Sequence, residues 1–244
     1  MFPADLAADA RILWRLARGQ PRQGDQATRL QAFYAPQAER YDAFRERLLH
    51  GRAELIERLE IGAGMRVVEL GCGTGSSLQR MGPGTLRCAS IQLVDLCPAL
   101  LNVARQRAAA YRNVEIIEAD ATRWQPGAAV DRVFLSYALT MIPDWRGVID
   151  NAVAMLKPGG RLGVVDFHLP TVGSRLGNGF WRHWFGHDGV CLSAEHLPAL
   201  GRSLTDTWMD QRRAPIPYLP GVLAPYYLFV GRRRDPAQNV SITR

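Results

Sequence analysis

Short apolar runs alternating with amphipathic stretches organise the middle of this chain. Val67-Val68-Glu69-Leu70 and Ile91-Gln92-Leu93-Val94 are brief, branched and nearly unbroken, and similar runs follow. Their length and composition predict strands at 66–70, 90–95, 114–118, 131–136 and 161–167. Between them the spacing turns helical. Pro98-Ala99-Leu100-Leu101-Asn102-Val103-Ala104-Arg105 opens one helix, its proline placed in the first turn where no N–H is needed. Residues 144–156 make another, stopped by Lys157-Pro158-Gly159-Gly160. Such alternation calls for right-handed crossovers and a parallel sheet covered on both faces.

The flanks carry other patterns. Leu6, Ala10, Leu13 and Ala17 recur at helical spacing over residues 4–18, before the breaker-rich Gly19-Gln20-Pro21-Arg22-Gln23-Gly24-Asp25. A second helical region is expected over residues 26–60, where Leu48, Leu49, Leu55, Ile56 and Leu59 supply an apolar face. The chain thus divides into an amphipathic helix with its linker, 1–25, and one domain, 26–244. Within that domain residues 171–215 read as a cap insertion, with Phe180, Trp181, Trp184 and Phe185 among glycines and polar groups. A helical stretch is expected near 194–203. The prolines of 215–221 then turn the chain into Tyr226-Tyr227-Leu228-Phe229-Val230, which suits an antiparallel strand closing the sheet edge.

Composition narrows the setting. A chain of 244 residues suffices for one α/β domain with a sizeable core, and 47% hydrophobic with 22% charged residues is ordinary for a globular protein. Cys72, Cys88, Cys97 and Cys191 form no C-x-x-C pair and have no metal-like spacing, so they are expected as reduced thiols and no metal is called for. The first residues lack the basic start and apolar core of a signal peptide, and the run 222–230 is too short to cross a bilayer. The expectation is a cytoplasmic protein that at most lies on the inner face of the cell membrane. The net charge of +7 comes from arginine, with Lys157 the one lysine. From residue 171 nine arginines face five acids, which suits an anionic membrane surface as well as it suits a solvated face. No nucleic-acid motif accompanies them, and no nucleic-acid partner is expected.

The chemistry concentrates where the first strand ends. Glu69-Leu70-Gly71-Cys72-Gly73-Thr74-Gly75 breaks into a glycine turn, and Asp95 stands 20 residues after Gly75 at the end of the second strand. Glycines let a backbone approach a nucleotide closely, and the distant carboxylate accepts from ribose hydroxyls. A pyrophosphate loop would need a glycine where Ser76 stands, and Glu69 would repel a pyrophosphate while attracting a sulfonium. These two residues argue against a nicotinamide-dependent oxidoreductase. Cys72 is expected as a compact side chain inside the turn, not as a nucleophile.

The spelling E-x-G-x-G-x-G resembles motif I of the class I S-adenosylmethionine-dependent methyltransferases. The likeness narrows further on Tyr34-Ala35-Pro36-Gln37-Ala38-Glu39-Arg40-Tyr41-Asp42, Leu93-Val94-Asp95-Leu96-Cys97-Pro98, Ser136-Tyr137-Ala138-Leu139-Thr140-Met141-Ile142-Pro143 and Gly163-Val164-Val165-Asp166-Phe167, with Phe180-Trp181-Arg182, Trp184-Phe185 and Pro225-Tyr226-Tyr227. This set resembles the BtaB-like diacylglycerylhomoserine N-methyltransferases of betaine-lipid synthesis, over roughly residues 26–234. The resemblance implies a doubly wound, mostly parallel seven-stranded sheet with N-terminal helices and a small C-terminal cap. It implies S-adenosylmethionine as co-substrate, contacted by Tyr41, Glu69, Gly71, Cys72, Gly73, Asp95, Leu96, Asp120, Ala121 and Ser136. It also implies a lipid whose amine receives three methyl groups in succession, with Trp181 and Arg182 at the head group.

An ammonium must shed its proton before its nitrogen can attack. Tyr34, Tyr137 and His168 are the candidate acceptors, with water as the alternative. Tyr34, Tyr41, Tyr137 and Trp181 could also cage the diffuse cations through their ring faces. His183, His187 and His196 show no metal pattern. Within the same reaction type, a lipid quinone precursor or phosphatidylethanolamine is the alternative acceptor. Outside it, a non-catalytic module that binds membrane or nucleic acid through the basic C-terminal third is the alternative.

Overall fold

The computed structural model describes residues 25–34, 46–169, 181, 190–216 and 221–235. The expected helix at 4–18, Tyr41, Arg182 and the aromatic residues Phe180, Trp184 and Phe185 lie outside them. Among the described residues, α1 (Gln26–Tyr34) and α2 (Arg52–Arg58) precede the sheet. The alternating core follows as β1 (Arg66–Leu70), α3 (Ser77–Met81), β2 (Ser90–Asp95), α4 (Pro98–Ala108), β3 (Val114–Glu118), β4 (Val130–Ser136), α5 (Trp145–Met155) and β5 (Leu156–Phe167). The chain then adds α6 (His196–Ser203), β6 (Thr205–Pro215) and β7 (Leu223–Arg232).

All seven strands join one sheet in the order β3-β2-β1-β4-β5-β7-β6. The first five run parallel, and β7 lies antiparallel between β5 and β6. This is the doubly wound, mostly parallel sheet the sequence led us to expect. Strand periodicity divides its core in two. Val67 packs with Leu55 of α2, Leu59 just after it and Leu101 of α4 on one face. Val68 and Leu70 pack with Val148, Ile149 and Ala152 of α5 and Leu200 of α6 on the other. On the first face α2 sits hard against β5: a Cβ added at Gly163 would lie 3.0 Å from carbons of both Leu55 and Leu59.

Two elements differ from expectation. The turn signal Lys157-Pro158-Gly159-Gly160 does end α5 at Met155, but it does so from inside a strand. Leu156 already pairs with Val130, the register shifts, and Arg161 pairs with Arg132. Gly159 N–H donates to the Arg233 carbonyl at 3.0 Å and Arg233 N–H to the Gly160 carbonyl at 2.8 Å, so the glycines form an irregularity that β-pairing tolerates. The second difference is β6, absent from the sequence reading. It is the outer strand of the hairpin, largely open to solvent, so it lacks the apolar alternation that marks a covered strand. Polar contacts anchor it instead. The Arg212 guanidinium donates to both oxygens of Glu54 on α2, and the Arg58 guanidinium lies 3.4 Å over the Trp208 ring.

Candidate active site

The strand order reverses between β1 and β4, and at the carboxyl ends of strands in such sheets a crevice opens. Here it is an open cleft of about 610 Å³, mouth included, bordered by the turn after β1, the ends of β2 and β3, the turn after β4, and α1.

The glycine turn forms its floor. Gly71, Gly73 and Gly75 all have positive φ, at 71°, 55° and 67°. At Gly71 the constraint is also steric, since a Cβ there would come within 2.4 Å of the Ala138 Cβ in the turn after β4. The two turns that face each other across the sheet can meet only at a glycine. Asp95 locks this arrangement. One carboxylate oxygen accepts the Gly73 N–H at 2.8 Å, and the other accepts the Cys97 N–H at 2.9 Å. Gly71 and Cys72 both donate to the Val94 carbonyl, at 2.8 and 3.0 Å. Cys72 is buried and does not border the cleft, which fits a packing role.

Leu96, Asp120 and Ala121 border the cleft beside Asp95, as the sequence led us to look for. Asp120 Oδ1 accepts from both the backbone N–H and the hydroxyl of Thr122, each at 2.8 Å, which fixes the carboxylate at the end of β3. Tyr34 closes the side opposite the turn, buried against Cys97 and Leu100. Its helix is held there by Gln31, whose Oε1 accepts the Ala99 N–H at 3.0 Å. Gln31, Leu100, Met141 and Ile142 were not foreseen as part of the site. Met141 and Ile142 belong to the Ser136–Pro143 block that the sequence already singled out.

Other expected site residues turn elsewhere, wholly or in part. Glu69 shares the face of Val67 and points behind the turn, buried, where its carboxyl accepts the Ser77 hydroxyl. Burial pushes its pKa up to about 8, despite the opposing pull of the Ser77 bond and nearby arginines. It does not border the cleft. Ser136 likewise opens onto the space behind the turn. Tyr137 does border the cleft, at a positive φ of 55°, but its hydroxyl donates to the His50 carbonyl at 2.8 Å. Burial raises its pKa well above the ordinary tyrosine value, which removes it as a proton acceptor near neutrality. His168 is buried away from the cleft, its ring edge-on to Tyr227 with centroids 5.9 Å apart, and burial depresses its pKa. Trp181 packs half-buried against the core face that carries α2, not in the cleft.

Beneath the turn after β4 sits a carboxyl the sequence quoted without a role. Asp166 is fully buried and accepts the Thr140 N–H at 3.0 Å and the Thr140 hydroxyl at 2.7 Å. Burial raises its pKa to about 6. Thr140 in turn accepts the Cys191 N–H at 2.7 Å, so one buried carboxyl secures the far wall of the cleft.

Residues 67–160 match the family described as "Methyltransferase domain". That match runs from β1 into β5. The domain superposes on the N-methyltransferase NodS of Bradyrhizobium japonicum, solved with S-adenosyl-L-homocysteine, with a TM-score of 0.64 at 20% identity over 84% of this chain and 99% of that one. It also superposes on a phosphoethanolamine N-methyltransferase of Haemonchus contortus, solved with S-adenosyl-L-methionine, with a TM-score of 0.66 at 13% identity over 84% and 60%. In sequence it is 27% identical, over 121 residues, to the ubiquinone/menaquinone biosynthesis C-methyltransferase UbiE of Coxiella burnetii, covering 48% of each chain. It is 33% identical over 129 residues to trans-aconitate 2-methyltransferase of Paracidovorax citrulli, covering 51% of this chain and 47% of that one. The chain thus spans about half the length of the curated relatives it matches. No group of metal-ligating side chains occurs among the described residues. No described helix is long and apolar enough to cross a membrane.

Proposed function

We propose that the chain is an S-adenosylmethionine-dependent N-methyltransferase that converts diacylglycerylhomoserine, in successive transfers, to its trimethylated betaine lipid. The observation that carries the reading is the cleft itself. A floor of positive-φ glycines, a fixed carboxylate at the end of β2 and a second at the end of β3 suit an adenosyl group. Asp95 would accept from the ribose hydroxyls while keeping its hold on the Gly73 N–H, and Asp120 would accept from the adenine amino group. Leu96 and Ala121 would flank the base.

The donor supplies a methyl group on a sulfonium, already electrophilic, so the protein's task is placement. The attacking nitrogen, the methyl and the sulfur have to be collinear, and orientation accounts for most of the acceleration in such a case. Tyr34 and Tyr137, both bordering the cleft, are the aromatic faces there for a methylated ammonium. With the Tyr137 hydroxyl committed to the His50 carbonyl and His168 buried against Tyr227, solvent at the open mouth is the acceptor for the amine proton. The basic C-terminal third supports a peripheral contact with an anionic membrane at the cytoplasmic face.

A second reading, C-methylation of a lipid quinone precursor, is favoured by the likeness to UbiE. Labelled S-adenosylmethionine offered with diacylglycerylhomoserine, phosphatidylethanolamine and a demethylated quinol separates them. The first reading expects label in the homoserine lipid, and label confined to the quinol would overturn it.

A further inference from the structure

A buried histidine fastens α6 to the rest of the fold. His196, the first residue of that helix, is fully buried, its ring edge-on to Trp145 of α5 with centroids 4.6 Å apart. Neither ring nitrogen has a hydrogen-bond partner among the described residues, and the buried Tyr227 hydroxyl on β7 has none either. A phenyl ring would occupy this position without desolvating two polar atoms. What an imidazole adds is the capacity to take up a proton. The docked position opposes that proton. A cation in the first turn of a helix is disfavoured by the helix dipole. Arg146 of α5 and His168 after β5 also act against it, and burial with these two neighbours holds the His196 pKa down at about 4.

The other charged groups around α6 are engaged elsewhere or turned to solvent. Asp144, the cap of α5, accepts the Gly147 N–H, and Asp166 of β5 holds Thr140 and the Phe167 N–H. Asp206 of β6 pairs with Arg232 of β7, and Arg213 of β6 works against a charge on His168. Asp150 of α5 and Glu195 and Arg202 of the α6 segment are exposed.

The same segment reaches the cleft. Shortly before α6, the Cys191 N–H donates to the Thr140 carbonyl at 2.7 Å. Met141 and Ile142, which lie between Thr140 and Trp145 in the chain, border the cleft. The α6 segment thus holds this stretch of wall at both ends, through Thr140 and through Trp145. We propose that His196 is an acid-sensitive catch: a proton taken up from solvent undocks α6 from α5 and loosens the cleft wall from Thr140 to Trp145. Above the ordinary histidine value of 6.5 the docked state is at full strength, and it weakens as pH falls towards about 4. Glu69 and Asp166, whose pKa values are raised, act in the opposite sense on the molecule as a whole, so the catch is read locally.

Hydrogen exchange of the α6 amides, corrected for the intrinsic pH dependence of exchange, reads the undocking directly. Between pH 7 and about pH 4.5, protection over this helix should fall roughly ten- to a hundredfold in the wild type, the factor set by the two protonation equilibria. His196→Phe and His196→Gln cannot take up the proton and should hold their protection within about threefold. No loss in the wild type, or an equal loss in both variants, would overturn the proposal. Arg146→Gln leaves His196 in place and removes one opposing charge from the surface, so it decides the matter if neither His196 variant folds. It should shrink the acid loss severalfold, and an undiminished loss would overturn the proposal. The link to the cleft rests on the methyl-transfer reading. Saturating S-adenosylhomocysteine at about pH 4.5 should restore protection over α6 by roughly tenfold, whereas bound ligand that leaves it unchanged would overturn the link. A wild type that binds no S-adenosylhomocysteine at neutral pH would sink the methyl-transfer reading instead and leave the undocking result standing.

Discussion

The two walls of the cleft are built on different principles. On the β1–β2 side the backbone defines the surface: glycines of positive φ meet a carboxylate that accepts two backbone N–H groups. On the β4–β5 side the surface is defined from below, by Asp166 holding Thr140 and by a Tyr137 hydroxyl tied to His50. The first wall tolerates little substitution because each residue answers to main-chain geometry. The second depends on long-range partners, and its polar groups are already satisfied within the protein. The first wall is therefore suited to gripping a ligand, and the second to shaping the space around it.

The largest expected effect falls on the first wall. Gly71→Val combines a positive φ with a Cβ 2.4 Å from that of Ala138. It should cost about 2–6 kcal/mol of stability and abolish detectable S-adenosylhomocysteine binding. Urea melts and calorimetry would check both, and a variant that binds normally would mean the turns do not need to touch. Asp95→Ala comes next. It removes the proposed ribose acceptor and two main-chain bonds of charged type, so affinity should fall roughly a hundredfold.

The buried carboxyls sharpen the contrast through pH. Glu69 is raised from 4.5 to about 8 and Asp166 from 3.8 to about 6, so each binds its proton more tightly in the folded state. Their contributions to stability are full below the unfolded values and are lost as pH rises through about 6 for Asp166 and about 8 for Glu69. Each is of the order of a few kcal/mol. Urea melts from pH 4 to 9 should show stability declining over that window, and Glu69→Gln should flatten the part between 6 and 8. An undiminished slope in the variant would place the titration elsewhere. The smallest effect is expected at His168, where Phe should leave the rate and pH profile of methyl transfer nearly unchanged. A loss of roughly a hundredfold or more would restore it as a proton acceptor.

How far the sequence could be read follows the same division. Strands β1, β2 and β4 were legible within a residue because they carry buried apolar runs, and β3, at the sheet edge and less covered, because Val114, Ile116 and Ile117 are branched. Asp95 and Asp120 border the cleft, where strand-end carboxylates beside a glycine turn were expected. β6 was not, because an edge strand open to solvent carries no apolar pattern. Glu69 was misplaced because alternation pairs it with Val67 but does not say which face the cleft occupies. Tyr137 and His168 were assigned by position along the chain. Their partners, His50 and Tyr227, lie far away in sequence and only the fold brings them together.

One titration bears on the central claim most directly: S-adenosylhomocysteine into the wild-type chain and into Asp95→Ala. The account expects a saturable heat with the wild type and a binding constant weakened by roughly a hundredfold in the variant. No heat with the folded wild type, or equal affinity in the two proteins, would contradict it.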